Sequence, residues 1–361
     1  MMNLRRGVRS LPMLVAAVMA MPAGSMAAAA PAKDALRGTC PAGYQVKAGL
    51  NVDFPSDGKM RAFVVKPPAN LSRPVPVWVS LTGSVESTND NLHVARSGAN
   101  AQLADNGFMV IGPVRDCANQ DADLRAGVCN GPGIDGWNWR PWTEGRAGNV
   151  SGDKFKGDEE PDSRFLIAVV KCVATQYPLD SRRLFIGGIS SGGTMTNRAL
   201  TFRSDFWAGG LPISGEWYVT EDDGSALSFE AARAAVQAKP GKIFQGRVAP
   251  FPLKTNLDPM IVIVVWGGDN DLWKCSGVLC ADYRPSTQAA SNYFSSTANV
   301  VEIACSSSHG HMWPQINTQA FNLWALNTLA SHPKGTPALQ FKLTPPPEGY
   351  SCKSGPYTDH Y

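Results

Sequence analysis

Gly188-Ile189-Ser190-Ser191-Gly192 is the stretch that most narrows what this chain can fold into. It has the G-x-S-x-G form, in which a strand turns sharply into a helix and holds a serine hydroxyl up at the turn. The glycines leave room beside the serine where the turn is tightest. No other serine in the chain has glycine both two before and two after it. The flanks agree with that reading. Arg183-Leu184-Phe185-Ile186 is patterned as a short buried strand, and Thr194 to Leu200 can form a helix once Gly192-Gly193 is passed. A serine hydroxyl is a poor nucleophile unless a base is held next to it, so the elbow sends the search along the chain for a base and an acid.

Strand-like and helix-like segments alternate around the elbow. Leu50 to Phe54, a Ser56-Asp57-Gly58 turn and Met60 to Val65 read as an N-terminal hairpin, since Asp-Gly supplies the positive φ of a tight turn. Val75 to Leu81 and Phe108 to Ile111 read as strands, separated by a helix over Leu92 to Asp105 that Gly107 closes. Residues 116–156 read as a glycine-rich loop holding Trp137, Trp139 and Trp142. Asp162 to Tyr177 reads as a helix. Trp207 to Ile213, Met260 to Val265 and Val300 to Ala304 are apolar runs of strand length, and Ile316 to Leu329 reads as a closing helix. This alternation predicts an α/β fold in one domain, a mostly parallel doubly wound sheet with the hairpin at its start.

In such a sheet the acid and then the base follow the serine in chain order. Of five histidines, His93 precedes Ser190. His332, at the end of the last helix, and His360, the penultimate residue, are expected in solvent. That leaves His309 and His311, just after a predicted strand. The acid is expected after Met260 to Val265, where Asp269 and Asp271 are both candidates. The developing oxyanion needs backbone donors: the N–H of Ser191, and that of Gly83 or Ser84 at the end of the strand Val75 to Leu81.

The N-terminus reads as a secretory signal over residues 1–27. Arg5, Arg6 and Arg9 precede an apolar run from Leu11 to Met21, and Ser25-Met26-Ala27 is a small-x-small cleavage site. Removing it takes away three arginines and no acid, so the formal charge falls from +3 to zero. A neutral mature chain gives no footing for a nucleic-acid partner. No later run is apolar enough for a membrane span. Residues 28–332 are then the catalytic domain, and residues 333–361 a proline-rich tail. The remaining feature is a set of eight cysteines, an even number that suits disulfides in an exported protein. Cys117–Cys129 and Cys275–Cys280 are plausible local pairs. Cys40, Cys172, Cys305 and Cys352 are left to pair over long range, with Cys352 tying the tail to the body. Their spacing does not resemble a zinc site, and neither metal nor cofactor is required.

Together, Gly188 to Gly193, the Gly-x-x-Asp of Gly268 to Asp271 and Gly310-His311-Met312-Trp313-Pro314 resemble the esterase/polyhydroxyalkanoate depolymerase family of α/β-hydrolases. Trp137-Asn138-Trp139 is similar to a segment of the same family. Two positions depart from its pattern: Thr82-Gly83 and Gly267-Gly268 stand where His-Gly is frequent. The resemblance implies an α/β-hydrolase fold and selects Asp271 over Asp269 and His311 over His309. It implies a secreted serine esterase acting through Ser190, His311 and Asp271, with a polyester such as a polyhydroxyalkanoate as substrate. Trp137, Trp139 and Trp313 are the substrate-contact candidates. Feruloyl or acetylxylan esters of plant cell walls are the alternative substrate, and a secreted peptidase or a non-catalytic binding protein of the same fold are further readings. The oligomeric state is left open.

Overall fold

Each buried strand carries two apolar faces, and this places a helix layer on either side of the sheet. The structure, a computed structural model, describes residues 35–83, 99–114, 161–215, 256–275, 278–311, 319–338 and 341–355. In chain order the elements are β1 (Gly49–Ser56), β2 (Lys59–Lys66), β3 (Val75–Leu81), α1 (Ala99–Asp105), β4 (Met109–Pro113), α2 (Pro161–Ala174), β5 (Leu179–Ile189), α3 (Ser191–Phe202), β6 (Gly209–Ile213), β7 (Met260–Trp266), β8 (Leu272–Cys275), β9 (Val278–Asp282), α4 (Tyr283–Ser295), β10 (Val300–Ser307), α5 (Gln319–Ala330) and β11 (Tyr350–Ser354). Nine strands form one sheet in the order β1-β2-β4-β3-β5-β6-β7-β10-β11, and β8 and β9 form a separate two-stranded ribbon. From β4 through β10 every neighbouring pair is parallel. The pairs β1–β2, β2–β4 and β10–β11 are antiparallel. The fold is the mostly parallel, doubly wound α/β sheet that the alternation predicts, with a hairpin at its start, and it agrees with the α/β-hydrolase fold that the resemblance implies.

Successive residues of a strand point to opposite faces. Val77, Val79, Leu184, Ile186, Val262 and Val264 therefore pack in one cluster, with Phe165 and Val169 of α2, Met195 and Leu200 of α3, and Phe294 of α4. Trp78, Phe185, Ile261 and Ile263 face the other way, onto Leu103 of α1 and Phe321 and Leu326 of α5. Both faces being covered, β7 and β10 are buried along their whole length. The elbow helix α3 is buried at every position.

The hairpin turns as the Asp-Gly pair requires, with φ of 50° at Asp57 and 75° at Gly58 between paired Ser56 and Lys59. It is held to the body by Arg61, whose Nη1 donates to Asp162 Oδ1 of α2 at 2.8 Å while the guanidinium lies 4.1 Å from the centre of the Phe165 ring. Cys40 is bridged to Cys172 of α2. Cys117 and Cys129 lie outside the described residues, as do the side chains of Cys275 and Cys280.

Several segments differ from the sequence reading. In the proline-rich tail, which the sequence reads without a strand, Phe341 and Leu343 pack against the core, and β11 joins the edge of the sheet, with Cys352 bridged to its register partner Cys305. Lys334 is buried, its Nζ donating to the carbonyls of Ser204 and Trp207. His332 is buried rather than solvated, at 2% exposure, edge-on to Phe341. Burial holds its pKa below the ordinary histidine value. The ribbon β8–β9 and helix α4 were not anticipated; α4 gathers its apolar residues on one face but is polar over its length as a whole. His360 lies outside the described residues.

Candidate active site

The candidate site is assembled where parallel strands end together. In register, Ile189 ends beside Ile213, and Ile213 beside Val265. The residues that follow β5, β6, β7 and β10 therefore emerge along one edge, the usual place for a ligand in an open α/β sheet.

Ser190 occupies the turn between β5 and α3 with φ 56° and ψ −120°. A side-chain-bearing residue rarely adopts such values, and holding it there costs about 1–3 kcal/mol. Serine preceding a helix commonly caps it through its hydroxyl, yet Ser190 makes no side-chain cap bond, so its Oγ is not committed to its own helix. The flanking glycines are required by contact. A Cβ at Gly188 would lie 2.3 Å from the Leu81 carbonyl oxygen, and one at Gly192 would lie 2.7 and 2.8 Å from the carbonyl oxygens of Leu81 and Thr82. The same approach brings the end of β3, with Gly83, against the first turn of α3. Ser191 opens that helix fully buried, its hydroxyl without a partner among the described residues. Its backbone N–H, at a helix N-terminus, is the group suited to an anion.

Asp271 is fully buried beyond β7 and is bonded on both carboxylate oxygens. His311 Nδ1 lies 2.8 Å from Oδ1. Oδ2 accepts from Ser214 Oγ at 2.7 Å and from the backbone N–H of Gly267 at 2.8 Å. The loop after β10 is drawn onto the acid loop by main-chain bonds, Gly310 N–H to the Gly267 carbonyl at 2.7 Å and His311 N–H to that of Asn270 at 3.4 Å. Gly268, at φ +86°, passes so close to this loop that a Cβ would lie 2.3 Å from the Ser307 carbonyl oxygen. That contact explains a glycine at this position.

Tyr283, the first residue of α4, joins the two halves. Its ring lies parallel to the imidazole of His311, with centroids 4.1 Å apart and planes within 1°. Its hydroxyl is 3.3 Å from Ser190 Oγ. Ser190, Tyr283, His311, Asp271 and Ser214 thus form one continuous cluster.

Geometry separates the alternatives that spacing left open. Asp271 is buried against His311, while Asp269 is exposed. His309 instead packs near Tyr350, with ring centroids 5.3 Å apart. Ser84, Trp137, Trp139, Trp142 and Trp313 lie outside the described residues. Sequence reasoning missed Tyr283 and Ser214. Tyr283 follows a ribbon with no motif to mark it. Ser214 had a faint signal, since the same Ile-Ser pair closes β5 at Ile189-Ser190 and β6 at Ile213-Ser214.

A strained serine on a strand-to-helix elbow, with a histidine held by a buried carboxylate one strand away, defines a hydrolase of the α/β-hydrolase class. The prolyl oligopeptidase family model matches residues 149–265. The chain is 67% identical over 327 residues to an oxidized polyvinyl alcohol hydrolase of Pseudomonas sp., an alignment covering 89% of this chain and 86% of that one. It is 62% identical over 349 residues to an oxidized polyvinyl alcohol hydrolase of Sphingopyxis sp. (strain 113P3), covering 96% and 95%. The crystal structure of native sOPH superposes with a TM-score of 0.75 at 65% identity, over 90% of this chain and 99% of that one. That of native pOPH gives 0.75 at 67% identity, over 89% and 98%. The chain belongs to the family of the oxidized polyvinyl alcohol hydrolases. Its resemblance to the esterase/polyhydroxyalkanoate depolymerases holds at the level of the α/β-hydrolase class they share.

Proposed function

We propose that this chain is an exported serine hydrolase that cleaves oxidized polyvinyl alcohol. What carries the reading is identity of 67% across nearly the whole length to a relative of that name, in a chain whose Ser190, His311 and Asp271 stand in one cluster. The chemistry follows from the polymer. Polyvinyl alcohol has a main chain of carbon alone, with hydroxyls on alternate atoms, so oxidation leaves 1,3-diketones. Hydrolysis must then break a carbon–carbon bond beside a carbonyl.

In this mechanism Ser190 Oγ adds to one carbonyl as His311 takes its proton, while Asp271 holds the imidazole by Nδ1 and stabilises its positive form. The N–H groups of Ser191 and of Gly83 or Ser84 receive the first oxyanion. Collapse of the tetrahedral adduct breaks the bond to the intervening methylene, and the electron pair leaves as the enolate of the second ketone. The enolate carbon takes back the proton carried by His311, giving a methyl ketone, and water then frees the acyl group from Ser190 as a carboxylate. Tyr283, with its hydroxyl beside Ser190 Oγ, is placed to donate to an oxygen of the reacting diketone. Trp137, Trp139 and Trp313 are the proposed contacts for the polymer chain. No step needs a metal or a cofactor. Export through the segment 1–27 suits a substrate too large to enter a cell, and the Cys40–Cys172 and Cys305–Cys352 bridges suit an oxidising compartment.

A polyester such as a polyhydroxyalkanoate is the second reading, carried by the Gly310 to Pro314 motif, because the same serine attack expels an alkoxide equally well. Parallel assays separate them. The purified enzyme should release a carboxylic acid and a methyl ketone from a short aliphatic 1,3-diketone and shorten oxidized polyvinyl alcohol, and Ser190→Ala should do neither. Erosion of a polyester film with the diketone left intact would replace the first reading by the second.

A further inference from the structure

We infer that Ser214 is a positioning residue, one that aligns Asp271 and through it His311; the inference rests on the triad reading given above. Ser190 follows β5, Ser214 follows β6 and Asp271 lies beyond β7, so Ser214 stands at the strand end between nucleophile and acid. It is bonded to both sides. Its backbone N–H donates to the Val265 carbonyl at 2.9 Å, and the carbonyl of its neighbour Ile213 accepts the N–H of Ser190 at 2.9 Å. Its hydroxyl donates to Asp271 Oδ2 at 2.7 Å.

The backbone alone does not call for serine here. Ser214 sits at φ 46°, a conformation that glycine adopts freely and other residues avoid. Its neighbour Gly215 is glycine for a reason of space, since a Cβ there would lie 2.5 Å from the carbonyl carbon of Gly193 in the elbow helix. A position that asked only for a tight turn would be served best by a second glycine. What serine adds is a wholly buried hydroxyl aimed at a wholly buried carboxylate, a charge-assisted bond of the stronger kind. With Gly267 N–H on the same oxygen and His311 Nδ1 on the other, the carboxylate is bonded from three directions. Its plane is thereby set, and with it the ring plane of His311. Without the hydroxyl, Oδ2 keeps one donor among the described residues, Gly267 N–H, and the carboxylate can turn about its Cβ–Cγ bond, drawing Oδ1 off Nδ1.

Ser214→Gly removes the hydroxyl and keeps the turn. The readout is labelling of Ser190 by a fluorophosphonate across pH, resolved into kinact and KI, which needs no polymer. In a variant that melts no lower than wild type, kinact should fall about 10- to 100-fold while KI stays within about twofold, the pattern of a lost alignment rather than lost binding. Asp271→Asn should itself label slowly, and adding Ser214→Gly to it should cost less than about threefold more, since residues acting as a unit are not additive. Wild-type kinact in Ser214→Gly, beside a slow Asp271→Asn, would overturn the role of Ser214 and leave the triad standing. A full further loss in the double variant would also overturn it, by showing that Ser214 acts elsewhere. Rapid labelling of Asp271→Asn would sink the triad reading itself, and the role of Ser214 with it.

Discussion

Tyr283 lies flat on the imidazole of His311, ring centroids 4.1 Å apart, while its hydroxyl reaches to 3.3 Å from Ser190 Oγ. One side chain thus braces the proposed base from the side and touches the proposed nucleophile from its tip. The two contributions separate by substitution. Tyr283→Phe keeps the stacked ring and loses the hydroxyl, and turnover of a soluble 1,3-diketone should fall about tenfold or more, as for other single donors at a reacting oxygen. Tyr283→Ala loses the brace as well and should be slower still. Steady-state rates of the two variants decide this, and equal rates for Tyr283→Phe and wild type would remove the hydroxyl from the chemistry.

Glu302 on β10 is a buried carboxyl that the site does not use. Burial pushes its pKa from 4.5 to about 8, against smaller opposing effects of a 2.5 Å bond from Ser291 Oγ and the charge of Lys353. The folded chain therefore keeps a proton between pH 4.5 and about 8 that the unfolded chain has lost. Folding stability should fall as pH rises through that window and level off above it, a slope worth roughly a few kcal/mol over the whole range. Glu302→Gln should remove this slope. Urea unfolding at pH 5 and pH 9 should show the variant gaining on wild type at the higher pH.

Arg61 and Asp162 pair at 2.8 Å with side chains 3% and 0% exposed, so neither has water to fall back on. Arg61→Leu, which takes the guanidinium away from a buried carboxylate, should cost about 3–5 kcal/mol in urea unfolding. Adding Asp162→Leu should return part of that loss, because two apolar side chains fill the space without a buried charge.

The Cys305–Cys352 bridge closes a segment of 47 residues. Cys352→Ser should lower unfolding free energy by roughly 3–4 kcal/mol, as loop-closure entropy returns to the unfolded chain. Thermal melts of variant and wild type should differ accordingly, and adding a reducing agent should bring wild type toward the variant.

Legibility from sequence tracked the type of force involved. The parallel core strands were readable because burial on both faces writes an unbroken apolar run such as Met260 to Trp266. The elbow was readable because backbone crowding admits only glycine at 188 and 192. Asp271 and His311 lay in short loops behind strands, where pattern narrowed each to two candidates. The bond between His311 Nδ1 and Asp271 Oδ1 then separates those candidates, and it is a fact of three dimensions. Tyr283 and Ser214 left almost no trace, since each matters through partners distant in sequence. His332 misled by type: a polar residue at the end of the last helix looks solvated, yet it is buried against Phe341.

Strand β10 is buried along its whole length, and β11 pairs along its outer edge. That partner leaves the ribosome after the elbow, the acid loop and the histidine loop, as the last of the described elements. Until it arrives, one side of this eight-residue strand is an open edge, ready to pair with another copy. A chain ended before Tyr350 would carry every proposed catalytic group and would still be expected to aggregate.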